Sequence, residues 1–283
     1  MIDLHLHTTA SDGCCSPTEL VGRVHAAGVR VFAVTDHDTV AGHAEAAAAA
    51  GVRGLTFVPG IEVTAVWNGR DVHVLGYWID GAAPSFAAFL DEQRARRVAR
   101  VEAIGAALAG IGAAIDLGPL LTHIERRPGT SVGRPDLARL LVGAGHAASV
   151  QDAFDRFLGA GCPAYVARSG VSPEAVFAII HAAGGLASLA HPGVTRRDDR
   201  LAAWADAGLD ALEAYHSDHS AAEEALYLER AAALGLLVTG GSDFHGDDPM
   251  TDRTRRRVVG GVTLPAAAWA AIEARRRSPH PPV

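Results

Sequence analysis

Short apolar runs recur along the chain, each closing on histidines and carboxylates, with stretches of helical period between them. Asp3-Leu4-His5-Leu6-His7 alternates strictly. Alternation puts His5 and His7 on one face of a strand and Leu4 and Leu6 on the other. A polar turn then returns Asp12 over the same end. Residues 29–35 are nearly all apolar and of strand length, as expected of a strand buried on both faces of a parallel sheet, and they end in Asp36-His37-Asp38. Similar runs at 55–58, 186–190, 209–214 and 236–239 lead to Pro59-Gly60, His191-Pro192, Tyr215-His216 and Asp243-Phe244-His245.

Between these runs the pattern predicts helices. Ser16-Pro17-Thr18-Glu19 carries a capping box with proline at the first helical position, and Gly28 closes that helix. Others are expected at 39–50, after Ser172-Pro173-Glu174, at about 200–207, at 221–234 and after Pro265, with residues 278–283 frayed. Residues 61–67 and 70–78 flank Asn68-Gly69, a two-residue hairpin signal. If Trp67 faces Arg70, Thr64 faces His73 and Glu62 lies diagonal to His73 on the same face. Ligand-type residues at the C-terminal ends of strands match the active-site face of an α/β barrel.

The alternation breaks at 81–166, where the pattern is helical throughout. Residues 84–108 carry Phe86, Phe89, Leu90, Val101, Ile104 and Leu108 at helical spacing, with Arg94, Arg96, Arg97 and Arg100 among them. Further helices are expected from Gly133-Arg134-Pro135-Asp136 and at 149–158. The expected organisation is a barrel made of residues 1–80 and 167–283, with residues 81–166 as a helical inserted domain.

Composition narrows the class. A chain of 283 residues with 49% apolar content can bury a large core. Its net charge of −7 argues against general binding of duplex DNA, although a local arginine cluster can still grip phosphate. No N-terminal leader pattern and no run long enough for a bilayer is found, so a cytoplasmic protein without membrane partners is expected. Cys14, Cys15 and Cys162 lack zinc-type spacing and read as packing thiols in a reducing compartment. Histidine, at 14 residues against 2 methionines, points to metal or acid–base chemistry.

The candidate ligands are His5, His7, Asp12, His37, Glu62, His73, His191, Asp243 and His245. One ion takes about four to six ligands, so this set calls for two or three divalent ions. Asp36, Asp38 and Glu213 are placed to orient ligating imidazoles. His216, just past a strand end, is read as a substrate-facing or supporting group. His25, His43, His123, His146 and His181 fall in helical stretches and read as packing or surface residues.

Asp3-Leu-His-Leu-His7 with Asp12-Gly13, Thr35-Asp-His-Asp38, Gly60-Ile-Glu62, His73, Ala190-His-Pro192 and Gly241-Ser-Asp-Phe-His245 together resemble the PHP (polymerase and histidinol phosphatase) family of metal-dependent phosphoesterases. The resemblance implies a distorted (β/α)7 barrel and a trinuclear centre of Mn2+, Fe2+ or Zn2+. By it, His5, His7, Glu62 and Asp243 would hold one ion, Glu62, His73 and His191 a second, and Asp12, His37 and His245 a third. The pieces Arg97-Val-Ala-Arg100, Gly133-Arg-Pro135 and Ala164-Tyr-Val166 are similar to a subgroup of nucleoside 3′,5′-bisphosphate phosphatases and 5′-to-3′ exoribonucleases. Asp136 departs from that subgroup, where a histidine commonly follows Arg-Pro, and Cys15 replaces its usual leucine.

The implied activity is hydrolysis of a phosphomonoester on a small nucleotide, or of the 5′ end of short single-stranded RNA, by metal-activated hydroxide without a protein nucleophile. Arg134, then Arg97 and Arg100, would bind phosphate, and Tyr165 could stack on a base. The alternatives are a cyclic sugar-phosphate phosphodiesterase, a histidinol-phosphate phosphatase, or, in another class, a metal-stabilised nucleotide-binding module without turnover.

Overall fold

Each strand of the single sheet lies beside its neighbours in sequence: β1 (Ile2–Asp3), β2 (Val31–Val34), β3 (Thr56–Trp67), β4 (Arg70–Tyr77), β5 (Leu186–Leu189), β6 (Ala211–His216) and β7 (Leu237–Gly241). The structure is a computed structural model and describes residues 1–247 and 258–277. Pairing is parallel except on both sides of β4. The sheet curls until its ends meet. The Leu4 N–H donates to the Gly240 carbonyl, the Asp243 N–H to that of His5 and the His7 N–H to that of Phe244, so residues 4–7 run beside the end of β7 in a nearly closed seven-stranded barrel.

A carboxylate fastens this seam. Asp3 accepts hydrogen bonds from Ser242 N–H at 2.9 Å, Ser242 Oγ at 2.7 Å and Gly260 N–H at 2.9 Å. Gly241 permits the approach, because a β-carbon there would stand 2.4 Å from the His5 nitrogen.

The hairpin has the register expected from Asn68-Gly69: Trp67 pairs with Arg70 and Thr64 with His73, while Asn68 (φ 48) and Gly69 (φ 72) take the left-handed turn conformation. Upstream, Pro59-Gly60 does not interrupt the strand. β3 runs through it, and Gly60 serves close approach instead, since a β-carbon would meet the Thr35 side chain at 2.9 Å and the Val34 carbonyl at 3.0 Å.

Helix α1 (Pro17–Ala26) starts with the reciprocal Ser16/Glu19 cap, whereas α2 (His43–Arg53) starts later than the pattern indicated and passes Gly51 to stop at left-handed Gly54. The Thr39 hydroxyl explains the late start. It accepts from the Ala41 N–H and donates to the Gly129 carbonyl, holding that segment in a turn.

The 81–166 segment is helical: α3 (Pro84–Gly110), α4 (Gly118–Arg126), α5 (Arg134–Gly143) and α6 (Val150–Ala153), the last continuing into a wider turn over Phe154–Leu158. No residue of α4 is fully buried; its apolar stripe, Leu117, Leu120 and Ile124, packs partly exposed against the core of the other helices. α3 belongs to two cores. Phe86 and Leu90 pack with Phe177 and Trp204 of the barrel, and Val101, Ile104 and Leu108 pack with Leu137, Leu141 and Leu158 of the other helices.

After the segment come α7 (Pro173–Ala182), α8 (Pro192–Thr195), α9 (Leu201–Asp206), α10 (Ala221–Leu234) and α11 (Ala266–Arg277). The tail at 278–283, expected to fray, lies outside the described residues. Among these, no helix is long and apolar enough to cross a membrane.

Two consequences are measurable. Gly241→Ala forces apart the β1–β7 seam and should lower stability by about 2 kcal/mol or more in urea unfolding, as overpacking does; an unchanged midpoint would contradict the seam geometry. Asp136 accepts the Gly133 N–H at 2.9 Å, and burial, assisted by the charge of Asp12, raises its carboxyl from 3.8 to about 6. The folded state therefore holds this proton more tightly than the unfolded one, and the associated stability is lost as pH rises through about 6. Asn keeps an acceptor without the charge. Metal-free Asp136→Asn should match the wild type near pH 4 and exceed it by about 1–3 kcal/mol at about pH 7.5.

Candidate metal centre

Glu62 is the hub of the site. It sits on β3 with 1% exposure, and five imidazole nitrogens surround it: Nε2 of His5 and His7 at 3.2 Å, Nδ1 of His37 at 3.3 Å, Nδ1 of His73 at 2.7 Å and Nε2 of His191 at 3.1 Å. Different elements deliver them. Alternation after β1 turns His5 and His7 inward, the turn after β2 supplies His37, the hairpin register supplies His73, and the end of β5 supplies His191. His73 lies within antiparallel β4 rather than at a strand end.

Asp243 completes one group. Its Oδ1 lies 3.3 Å from His5 Nε2 and 3.2 Å from His7 Nε2, so His5, His7, Glu62 and Asp243 bring ligand atoms within 4.8 Å of one another. A second group joins Asp12 to His7, His37 and His245, and a third joins Glu62 to His37 and His73. His37 thus faces both Asp12 and Glu62, while His191 reaches the centre through its hydrogen bond to Glu62. All nine candidate ligands meet around this centre. A cleft of ≈ 220 Å³ opens onto it, walled by His37, Glu62, His73, His191, Asp243 and His245 with Val194.

The donor chemistry fits cations. His245 Nδ1 donates to the Asp243 carbonyl at 2.9 Å, which leaves the Nε2 lone pair facing the Asp12 carboxylate at 3.3 Å. Two acceptors so placed need a proton or a cation between them. Among the described residues, both nitrogens of His7 and the Nδ1 atoms of His37 and His73 are buried with no partner at hydrogen-bonding angles, close as the carboxylates stand. Burial pushes the Asp12 and Glu62 carboxyls up, but the surrounding histidines outweigh it and hold both well below the ordinary range. Burial brings His37 down to about 3, neutral and able to donate its lone pair. His7 feels the opposite balance: burial lowers it, and Asp243 and Glu62 raise it to about 10. A positive charge is favoured at that point, between the two carboxylates.

The expected supporting carboxylates divide. Asp36 holds the turn before Asp12, accepting from Thr8 N–H at 2.7 Å, Thr8 Oγ1 at 2.6 Å and Ser11 Oγ at 2.6 Å. Asp38 accepts from Arg97 Nε and the Thr64 N–H. Only Glu213 touches a ligating ring, at His5 Nδ1.

Two expected substrate groups are not available to a ligand. His216 is buried, with Nδ1 accepting the Asp218 N–H and Nε2 at Asp243 Oδ2, so its ring has no free edge. Arg97 is 6% exposed and spends its guanidinium on Asp38, the Val132 carbonyl and Thr64 Oγ1. It joins α3 to the barrel.

Arg134 is placed differently, and Arg100, though 8% exposed with Nε donating to the Val166 carbonyl at 2.9 Å, turns its terminal nitrogens toward the same place. Arg134 reaches Asp71 Oδ2 at 3.2 Å and lies over the rings of Phe154 and Tyr165; Arg100 lies over Tyr165 with NH1 3.9 Å from the same oxygen. Arg168, which carried no signal in the sequence, completes the fan with Nε 3.4 Å from Asp71 Oδ1. Its burial and the nearby Arg97 charge lower its pKa to about 10. Arg139, likewise unanticipated, donates to the Asp12 carbonyl at 2.7 Å.

Comparison with known proteins agrees with this geometry. The PHP domain family matches residues 3–115. The chain is 35% identical to the 3′,5′-nucleoside bisphosphate phosphatase of Chromobacterium violaceum over 86% of its own length and 87% of that protein. It is 38% identical to a 5′-3′ exoribonuclease of Haemophilus influenzae, covering 86% and 89%, and 32% identical to a phosphoribosyl 1,2-cyclic phosphate 1,2-diphosphodiesterase of Eggerthella lenta, covering 86% and 94%. A structure from Bifidobacterium adolescentis described as a metal-dependent phosphoesterase superposes with a TM-score of 0.87 at 32% identity, covering 97% and 96% of the two chains. A Chromobacterium violaceum amidohydrolase with bound sulfate and no metal gives 0.83 at 34% identity, with the same coverage. A buried centre of histidines and carboxylates on a seven-stranded barrel, with kinship along nearly the whole chain, makes this protein a member of the PHP domain family and a metal-dependent phosphoester hydrolase.

Proposed function

We propose that the substrate is a small nucleotide with a terminal phosphate, a nucleoside 3′,5′-bisphosphate or the 5′ end of a short single-stranded RNA. One observation carries the reading: Arg100, Arg134 and Arg168 surround the single carboxylate of Asp71, two residues along β4 from His73. Asp71 and His73 point to the same face of the strand, their α-carbons about 7 Å apart. The positive fan and the metal centre are therefore neighbours across a distance that one nucleotide spans. The fan has more guanidinium groups than its carboxylate can neutralise, and planar guanidinium suits phosphate. Relatives named for nucleoside bisphosphates and RNA ends, and a neighbour holding sulfate, support the same class.

The nine candidate ligands would hold two or three divalent ions, Mn2+, Fe2+ or Zn2+. Bound there, such ions supply a hydroxide at neutral pH and Lewis-acid stabilisation of the phosphoryl oxygens. The chain's own contribution is placement. Glu62 and Asp243 fix the charge of the inner group, Asp12 that of the outer one, and Arg134 with Arg100 orients a second anionic group. Among the described residues that wall the cleft none carries a hydroxyl or a thiol, in keeping with attack by water. A cleft of ≈ 220 Å³ has the scale of one small phosphate ester, and a net charge of −7 disfavours the extended positive track a duplex needs.

The substrate assignment is tested by comparing kcat/KM for adenosine 3′,5′-bisphosphate, AMP, a 5′-phosphorylated oligoribonucleotide, histidinol phosphate and a cyclic ribose phosphate under one metal loading. Preference for either of the last two by about tenfold, or ~1.4 kcal/mol, would overturn it. Arg134→Ala should lower kcat/KM for the bisphosphate by on the order of 2 to 4 kcal/mol, mainly through KM. Unchanged kinetics would make Arg134 a solvated residue.

A further inference from the structure

Glu213, fully buried on β6, gives both carboxylate oxygens to the metal centre. Oε1 accepts from His5 Nδ1 at 2.8 Å and Oε2 from the His191 backbone N–H at 2.8 Å. The first bond puts the His5 proton on Nδ1 and turns Nε2 toward Glu62 and Asp243. The second holds a residue whose backbone, at φ 27 and ψ 64, lies where side-chain-bearing residues seldom rest. One carboxylate thus joins two candidate ligands that are far apart in sequence.

His216 does the same for a third. Its Nδ1 accepts the Asp218 N–H at 3.1 Å, which places the ring proton on Nε2, 3.3 Å from Asp243 Oδ2. That oxygen is engaged, and Oδ1 faces His5, His7 and His245.

Residues three apart in a regular strand point to opposite faces. Glu213 and His216 nevertheless both point inward. The reason is a bulge: Glu213 pairs with Thr239 and Tyr215 with Gly240, so Ala214 is the extra residue and the strand turns over between them. Gly240 makes room, since a β-carbon there would stand 2.5 Å from that of Tyr215. His5, Glu213 and His216 also lie close enough to suggest an ion of their own. Their hydrogen bonds are already made with His5, His191, Asp218 and Asp243, which assigns them to support.

We propose that Glu213 and His216, brought to one face by the β6 bulge, are positioning residues that set the metal affinity of the His5–His7–Glu62–Asp243 group. The proposal rests on the metal-centre reading and is independent of the substrate. It is tested by titrating Mn2+ into the metal-free wild type, Glu213→Gln, His216→Phe and His216→Gln, following free Mn2+ by electron paramagnetic resonance, with circular dichroism as the check of fold. In Glu213→Gln one oxygen becomes an NH2 group that meets the His5 or the His191 N–H, donor against donor. Mn2+ binding should weaken by about 10- to 100-fold in Glu213→Gln and His216→Phe, with the wild-type dichroism retained. His216→Gln keeps a donor for Asp243 and should recover part of the loss. Wild-type affinity in both Glu213→Gln and His216→Phe would overturn the proposal; if Glu213→Gln fails to fold, His216→Phe decides. A wild type that binds no Mn2+ would instead overturn the metal-centre reading, and this proposal with it.

Discussion

A buried carboxylate ringed by five imidazoles is the arrangement on which the rest of this structure depends. Taking an ionised group out of water costs several kcal/mol unless opposite charge and hydrogen bonds replace the solvent. Glu62 meets that requirement with rings drawn from four separate parts of the chain, so the barrel must close before the centre exists. The seam is built accordingly: Asp3 gathers Ser242 and Gly260, and glycine at 241 lets the first strand lie against the last. Closure and the assembly of the centre are one event.

Much of this was legible because it is local. Alternation after Asp3 faced His5 and His7 together, and Asn68-Gly69 fixed a register that put Glu62 diagonal to His73, as observed. The seven-stranded barrel and the helical character of 81–166 followed from pattern and resemblance. What escaped was non-local or unsigned. Pro59-Gly60 looked like a break, yet it is the point where β3 passes close to β2. The bulge that turns both Glu213 and His216 inward depends on a glycine on the next strand, which no reading of β6 by itself could supply.

The arginines illustrate the same limit in electrostatics. A guanidinium on a helix can bind a ligand or hold two elements together, and composition does not distinguish the cases. Arg97 proved to be a tie, with its donors used inside the protein, while Arg134 and Arg100 lie beside an overcrowded carboxylate. Arg168 sits on a connecting segment with no periodicity to flag it, and only the fold brings it to Asp71. A chain of net charge −7 can therefore still hold a strongly positive recess, because the balance that matters is set within a few ångströms.

Helix α3 has one half in the barrel core and the other in the core of the helical segment. A rod of this kind cannot fray at one end without exposing apolar surface at the other. The two parts should accordingly melt together, in a single calorimetric transition, and the arginines that α3 carries are held in register with the barrel it packs on.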